Sequence, residues 1–144
     1  MAKLITASRV IRWTRFSRSA PQSIPNNLNT AVIWQTILED FYGFFNPATP
    51  TRIIIPDTRK YWISMLCGFA TSGAGANAME LFRNGSRVTH TIWGVVAVAS
   101  SEWPMAFIGN FNAGDFLEMI VSQTSGGPLD LNAQETFLSI RRAT

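Results

Sequence analysis

The stretch from Phe107 to Gln123 constrains the fold more than any other part of the chain. It reads strand, turn, strand: apolar and aromatic residues flank Asn112-Ala113-Gly114-Asp115, a run of turn-forming side chains. In the second strand the period-two geometry of a pleat sends Phe116 and Ile120 to one face, and Leu117, Met119 and Val121 to the other. A solvated antiparallel strand alternates apolar with polar residues, so a strand apolar on both faces is expected to be covered on both. One of those covers is expected to be a second copy of the chain. The composition points the same way. Apolar residues make up 47% of the 144 and charged residues 15%, against the usual quarter, so a monomer would expose a large apolar surface. Ten Phe and five Trp fit burial between subunits, because aromatic side chains concentrate at interface cores.

The remaining elements follow from local signals. Tyr61, Ile63, Met65, Cys67 and Phe69 alternate with Trp62, Ser64, Leu66 and Gly68, a two-residue period over nine positions. Thr30–Gln35, Arg52–Ile55, Ala78–Arg83, Arg87–Val98 and Thr136–Arg141 read as further strands. Asn84-Gly85 marks a tight hairpin, since a type I′ turn needs positive φ at both central positions. Trp103-Pro104 is expected to interrupt the meander. Between Ile33 and Phe44 two signals compete. Ile33, Ile37, Phe41 and Phe44 fall at helical spacing, while Gly43 and Pro47 forbid a long helix, which leaves room for a short helical turn around 36–42. Eight or nine short strands about ten residues apart predict an all-β sandwich or barrel, in one domain over 9–144. Residues 1–20 form a basic arm and the first strand.

That arm is unusual in charge. Lys3, Arg9, Arg12, Arg15 and Arg18 all precede the first acid, Glu39. Three readings stand: a first strand with solvated arginines, a basic arm reaching an acidic partner, or a targeting segment, though Val10, Ile11, Trp13 and Phe16 do not gather on one helical face. Nothing resembles a nucleic-acid motif. No apolar run approaches the roughly 18 residues that span a bilayer. Neither kind of partner is expected.

Catalytic and metal chemistry find little to stand on. His90 is the single histidine and sits in a strand, so no multi-histidine site can form. Cys67 is the single cysteine and reads as a small buried hydrophobe. Glu39-Asp40 offer too few oxygens for calcium, and Asp115 reads as a turn aspartate that binds its own backbone. Thr71–Asn77 contains glycines without phosphate-cradle spacing. Glu118, an acid within an apolar strand, is either an exposed-face residue or an arginine's partner across a subunit boundary. No enzyme activity, cofactor or metal is expected.

The order of motifs carries a resemblance. Gln22-Ser-Ile-Pro-Asn-Asn27, Pro50-Thr-Arg-Ile53, Lys60-Tyr-Trp-Ile63, Leu81-Phe-Arg-Asn-Gly85, Ala113-Gly-Asp-Phe-Leu-Glu-Met-Ile-Val121 and Phe137–Arg141 follow one another as in the trimeric jelly roll shared by the complement globular head and tumour necrosis factor-like proteins. The phage-borne version of that head is the nearest likeness, covering about Arg9 to Arg142. The sequence departs from it where Arg59 replaces a glycine, and where Phe41-Tyr42-Gly43-Phe44-Phe45 replaces a polar loop; the latter is expected to dock on protein. The resemblance implies a jelly-roll β-sandwich that assembles as a homotrimer and acts as a capsid decoration or cement protein on a tailed-phage virion, its partners being itself and the major capsid protein. The alternative is a receptor- or carbohydrate-binding head of a head or tail fibre, with Thr71–Asn77 and Ser122–Pro128 as the binding end. The short N-terminus favours decoration. Candidate trimer contacts are Phe116, Glu118, Ile120, Trp62 and Leu66. Candidate capsid-facing residues are Arg9, Arg12, Arg15, Arg18, Phe41, Tyr42, Phe44 and Phe45.

Overall fold

The computed structural model describes residues 12–71, 75–94 and 101–143, which form an all-β sandwich without helices. Its strands in chain order are β1 (Thr14–Ser17), β2 (Gln22–Ile24), β3 (Thr30–Ala31), β4 (Thr36–Leu38), β5 (Ile53–Ile54), β6 (Arg59–Phe69), β7 (Ala76–Arg83), β8 (Ser86–Gly94), β9 (Ser101–Phe111), β10 (Phe116–Gln123), β11 (Leu129–Leu131) and β12 (Phe137–Arg142). Seven strands build one sheet, in which β6 is the hub. One edge of β6 carries β9; the other carries β12 along Tyr61–Leu66 and β11 at Phe69, continuing to β1-β4 and to β2 respectively. The second sheet runs β8-β7-β10, with β5 and β3 sharing the free edge of β10.

The predicted alternation in β6 positions the core. Tyr61, Ile63, Met65 and Cys67 are all buried, and they face Leu117, Met119 and Val121 of β10, each at 0% exposure. Phe16, Leu138, Ile140 and Phe111 extend this layer in the first sheet; Met79, Leu81 and Ile53 extend it in the second. Cys67 is the buried hydrophobe it was expected to be, and burial pushes its thiol pKa upward. The Asn84-Gly85 hairpin forms as expected between β7 and β8, with φ of 51° and 80° at its two central residues.

Several expectations are corrected. The helical turn around 36–42 is absent: Thr36–Leu38 is a strand paired with β1, and Glu39 then takes φ 57°, a left-handed conformation that ends it. Trp103-Pro104 does not interrupt a strand. It lies inside β9, which among the described residues pairs only with β6, and an edge strand tolerates a proline's missing donor on its free side. Phe107–Gln123 is a corner between sheets and not a hairpin, because β9 belongs to the seven-stranded sheet and β10 to the five-stranded one. Asn112–Asp115 makes that turn. An amide and a carbonyl of the turn are tied to Ile55, the residue after β5, Gly114 N donating to Ile55 O (2.9 Å) and Ile55 N to Asp115 O (2.8 Å).

Candidate interaction surfaces

Residues directly opposite on neighbouring antiparallel strands share a face, so the registers define the outer surface of the seven-stranded sheet row by row. One row runs Leu38–Arg15–Ser139–Ser64–Ala106. The next toward the chain's C-terminus is Arg141–Trp62–Ile108, with Trp13 against the Arg141 guanidinium, and on the other side lies Ser17–Phe137–Leu66–Pro104. Trp13, Trp62, Ile108 and Leu38 keep 39%, 40%, 45% and 52% of their surface. The cations on this face lie on rings and not on acids. The Arg141 guanidinium carbon is 4.8 Å from the Trp13 ring centroid and 5.4 Å from that of Trp62, and Arg15 lies 4.1 Å over Phe137. None of the three rows contains an aspartate or glutamate. Two carboxylates stand beyond one end, where Glu135 covers Gly68 and its charge raises the pKa of Glu102.

The outer face of the five-stranded sheet has a different character. Its rows are Glu118–Phe82–Arg87, Ile120–Glu80–His90 and Ser122–Ala78–Ile92. Each acid here has its own cation: Glu118 Oε1 lies 3.5 Å from Arg52 Nε, and Glu80 Oε1 is 2.8 Å from Arg87 Nη1. The Arg52 guanidinium also covers Phe116 at 4.1 Å, and the Thr51 hydroxyl donates to Glu118 (3.1 Å). The second cover expected over β10 is therefore supplied in part by the loop ahead of β5 in the same chain. Glu118 meets its arginine within the subunit.

The structure thus divides the expected trimer contacts between opposite sides of the sandwich. Trp62 and Leu66 face out from the seven-stranded sheet, and Phe116, Glu118 and Ile120 from the five-stranded one. Neighbours that the sequence reading passed over join Trp62: Trp13, Leu38, Ile108 and Phe137. The signal was present in the even-numbered positions of β6 and β9, which take the outward parity once the odd ones are assigned to the core.

The capsid-facing candidates also separate. Arg9 lies outside the described residues. Arg12 is exposed and stacks over Phe41 (4.3 Å), which is 49% exposed, and Arg15 is on the face just described. Arg18 and Phe44 are corrected, because they are buried at 8% and 0% exposure. The aromatic loop turns inward because Asp40 gathers its backbone, accepting from the amides of Phe44 (2.9 Å) and Phe45 (3.0 Å). Phe44 then packs edge-on against Tyr61, Phe45 against Phe16, and Tyr42 lies under the Arg142 guanidinium (3.7 Å). Arg142 is also paired with Asp57 (3.0 Å). Burial and the hydrogen bond to Asp57 push the Tyr61 phenol up to about 12, so it stays protonated. These groups hold the loop to the sandwich. Among the described residues, no cluster of three or more His, Cys, Asp or Glu could hold a metal ion.

With two curled sheets enclosing one core, this is a tumour necrosis factor-like jelly roll, and solved structures agree. Murine APRIL at pH 5.0 superposes with a TM-score of 0.69 at 17% identity, over 93% of this chain and 100% of that one. The Eiger TNF of S. frugiperda gives a TM-score of 0.69 at 13% identity, over 94% of each chain. Murine APRIL at pH 8.5 gives 0.66 at 18% identity, with 93% and 100% covered. No family model matches the chain, and no curated protein matches it by sequence.

Proposed function

We propose that the chain is a non-enzymatic structural head that assembles as a homotrimer through the outer face of its seven-stranded sheet, and that the trimer decorates the capsid surface of a tailed bacteriophage, bridging copies of the major capsid protein. The observation that carries the self-assembly is the Arg141–Trp62–Ile108 row with Trp13 against it: an exposed, acid-free aromatic and aliphatic surface on a chain with few charges. Three such faces turned toward a threefold axis bring rings together without burying an unpaired carboxylate. A threefold assembly would offer the same capsid-binding patch three times, so weak contacts act as one avid contact. The exposed Arg12–Phe41 pair and the basic residues ahead of it are the capsid-facing side in this reading.

Electron microscopy of the intact particle tests the placement. Density for the trimer at threefold or quasi-threefold positions on the capsid is expected; trimer density only on a tail or fibre tip would sink the decoration reading. A chain lacking Met1–Ser8 and carrying Arg9→Glu and Arg12→Glu should remain a trimer but lose binding to undecorated capsids. Wild-type binding should weaken as salt rises.

A second reading, a receptor- or carbohydrate-binding head, draws support from the loops after β6 and β10. Thr124 N donates to Ala76 O (3.0 Å), Ala76 N to the Thr124 hydroxyl (2.8 Å), and Gly126 N to Asn26 Oδ1 (2.9 Å), so both loops meet at one end of the sandwich. Residues 72–74 of that end lie outside the described residues.

A further inference from the structure

A cavity of about 580 Å³ opens at this same end of the sandwich, on the side of the seven-stranded sheet, between the segment leaving β1 and the loop joining β11 to β12. Its lining is polar: Arg18, Ser19, Asn132, Gln134 and Glu135, with Pro21 and Ala133. The volume falls within the range of small-molecule sites.

Arg18 gives the cavity its chemistry. The residue is 8% exposed and forms no ion pair among the described residues. Its guanidinium is instead anchored on neutral oxygens. Nε donates to Ala20 O (3.1 Å), and Nη1 to Gln22 Oε1 (2.8 Å) and to Ile33 O. Gln22 is held in turn, its Nε2 donating to Ala31 O (2.9 Å) and its Oε1 accepting from Ile33 N (3.0 Å). Nη2 alone has no protein acceptor among the described residues, and it is not sealed from solvent. A buried charge is ordinarily paired; this one is rigidly placed, unpaired and open at a single nitrogen. Glu135 shares the cavity and is held by another of its lining residues, accepting from Asn132 Nδ2 (2.6 Å). Besides the guanidinium, the lining presents a carboxylate, two amides and the Ser19 hydroxyl, groups that suit a ligand's hydroxyls.

We propose that this cavity binds a carboxylate-bearing sugar, the ligand carboxylate taken by Arg18 and its ring hydroxyls by Asn132, Gln134 and Glu135. A simple anion leaves Glu135 as a repulsive neighbour, and a neutral sugar leaves Arg18 unpaired; an acidic sugar answers both. The inference rests on the second reading above, a carbohydrate-binding head, and names its ligand class and its site.

Calorimetric titration of the full chain with glucuronate, glucose and inorganic sulfate tests it. Glucuronate is expected to bind roughly 10-fold or more tighter than glucose, the size of one charge-assisted hydrogen bond. Gln134→Ala and Asn132→Ala should weaken glucuronate several-fold at an unchanged melting temperature, and Arg18→Gln should abolish its advantage over glucose. Gln134 is exposed, so its variant keeps the test valid if Arg18→Gln fails to fold. A polyuronate that binds where the free sugar is weak would place the same chemistry in a polysaccharide and supports the site. Equal affinity for glucose and glucuronate overturns the proposal. So does sulfate binding as well as glucuronate, which would leave an adventitious ion only, and so does the absence of any uronate binding. A head that captures neutral glycans, sensitive to changes at Gly75 or Ser125 but not at Gln134 or Arg18, overturns this site while the binding-head reading stands. Failure to retain any glycan would sink that reading as well.

Discussion

The two outer faces of this sandwich carry similar residue types and solve opposite problems. On the five-stranded sheet Glu118 and Glu80 each have an arginine of the same subunit, and Phe116 lies under one of them. That face is closed electrostatically by its own chain. On the seven-stranded sheet Arg15 and Arg141 lie on aromatic rings, no acid is within the rows, and Trp13, Trp62 and Ile108 remain two-fifths or so exposed. The difference teaches where to look for a partner: an apolar side chain in an outward position matters less than whether the chain already supplies its cover.

The comparison breaks most severely if a charge on the open face is tolerated. Ile108→Asp should reduce the assembly constant by at least about 100-fold while the subunit stays folded, because an unpaired carboxylate would be buried among Trp62 and its partners. Light scattering and circular dichroism read the two halves of that statement. An unchanged mass would mean the face is solvated. The equivalent change on the closed face, Ile120→Asp, should leave the assembled mass alone.

A smaller effect belongs to the rim of the closed face. Burial disfavours ionised Asp115, but donors outweigh it: the Asn112 amide, Asn84 Nδ2 and Arg83 Nη2, each at 2.7 Å. Its folded-state pKa is therefore lowered below the ordinary carboxylate value. A lowered carboxylate pKa contributes stability that is complete above the unfolded pKa of about 4 and is lost as pH falls through the folded value. Asp115→Asn should cost about 1–3 kcal/mol near neutral pH and flatten the acid limb of a urea-midpoint profile. An acid limb of unchanged slope would assign that sensitivity to Asp57, whose pKa is also lowered.

The smallest effect sharpens the contrast. The Arg52–Glu118 pair is partly solvated, with side-chain exposures of 43% and 17%, so Glu118→Gln should destabilise by no more than about 1 kcal/mol, and less in high salt. If that substitution instead dissociated the assembly, Glu118 would belong to an interface after all, and the two faces would exchange roles.

Much of the fold is legible because it depends on local rules. The alternation of β6, the Asn84-Gly85 turn and the inward side of β10 all follow from a two-residue period and positive-φ chemistry. What was missed depends on three-dimensional neighbours. The corner at Asn112–Asp115 looks like a hairpin turn because both use the same residues, and it is the bonds to Ile55 and the pairing of β10 with β7 that place β10 in the other sheet. Arg18 reads as one more cation of a basic arm, yet Gln22 and the carbonyl of Ile33 turn it inward. Phe44 reads as part of a sticky loop until the Asp40 carboxylate folds that loop onto Tyr61. Phe116 and Trp62 could not be assigned to different sides, since parity along one strand says nothing about the parity of another in a different sheet.

The pairing of β1 with β12 sets Thr14 against Ile140 and Ser17 against Phe137, joining the two extremes of the described chain across the middle of the larger sheet. During synthesis β1 leaves the ribosome long before the strand that will hold one of its edges, so that edge must wait unpaired while the intervening strands are made. The open face that includes Arg15, Arg141 and Trp62 is completed only when β12, the last strand of the described residues, docks. Self-association through that face, as proposed, therefore has to follow the docking of β12.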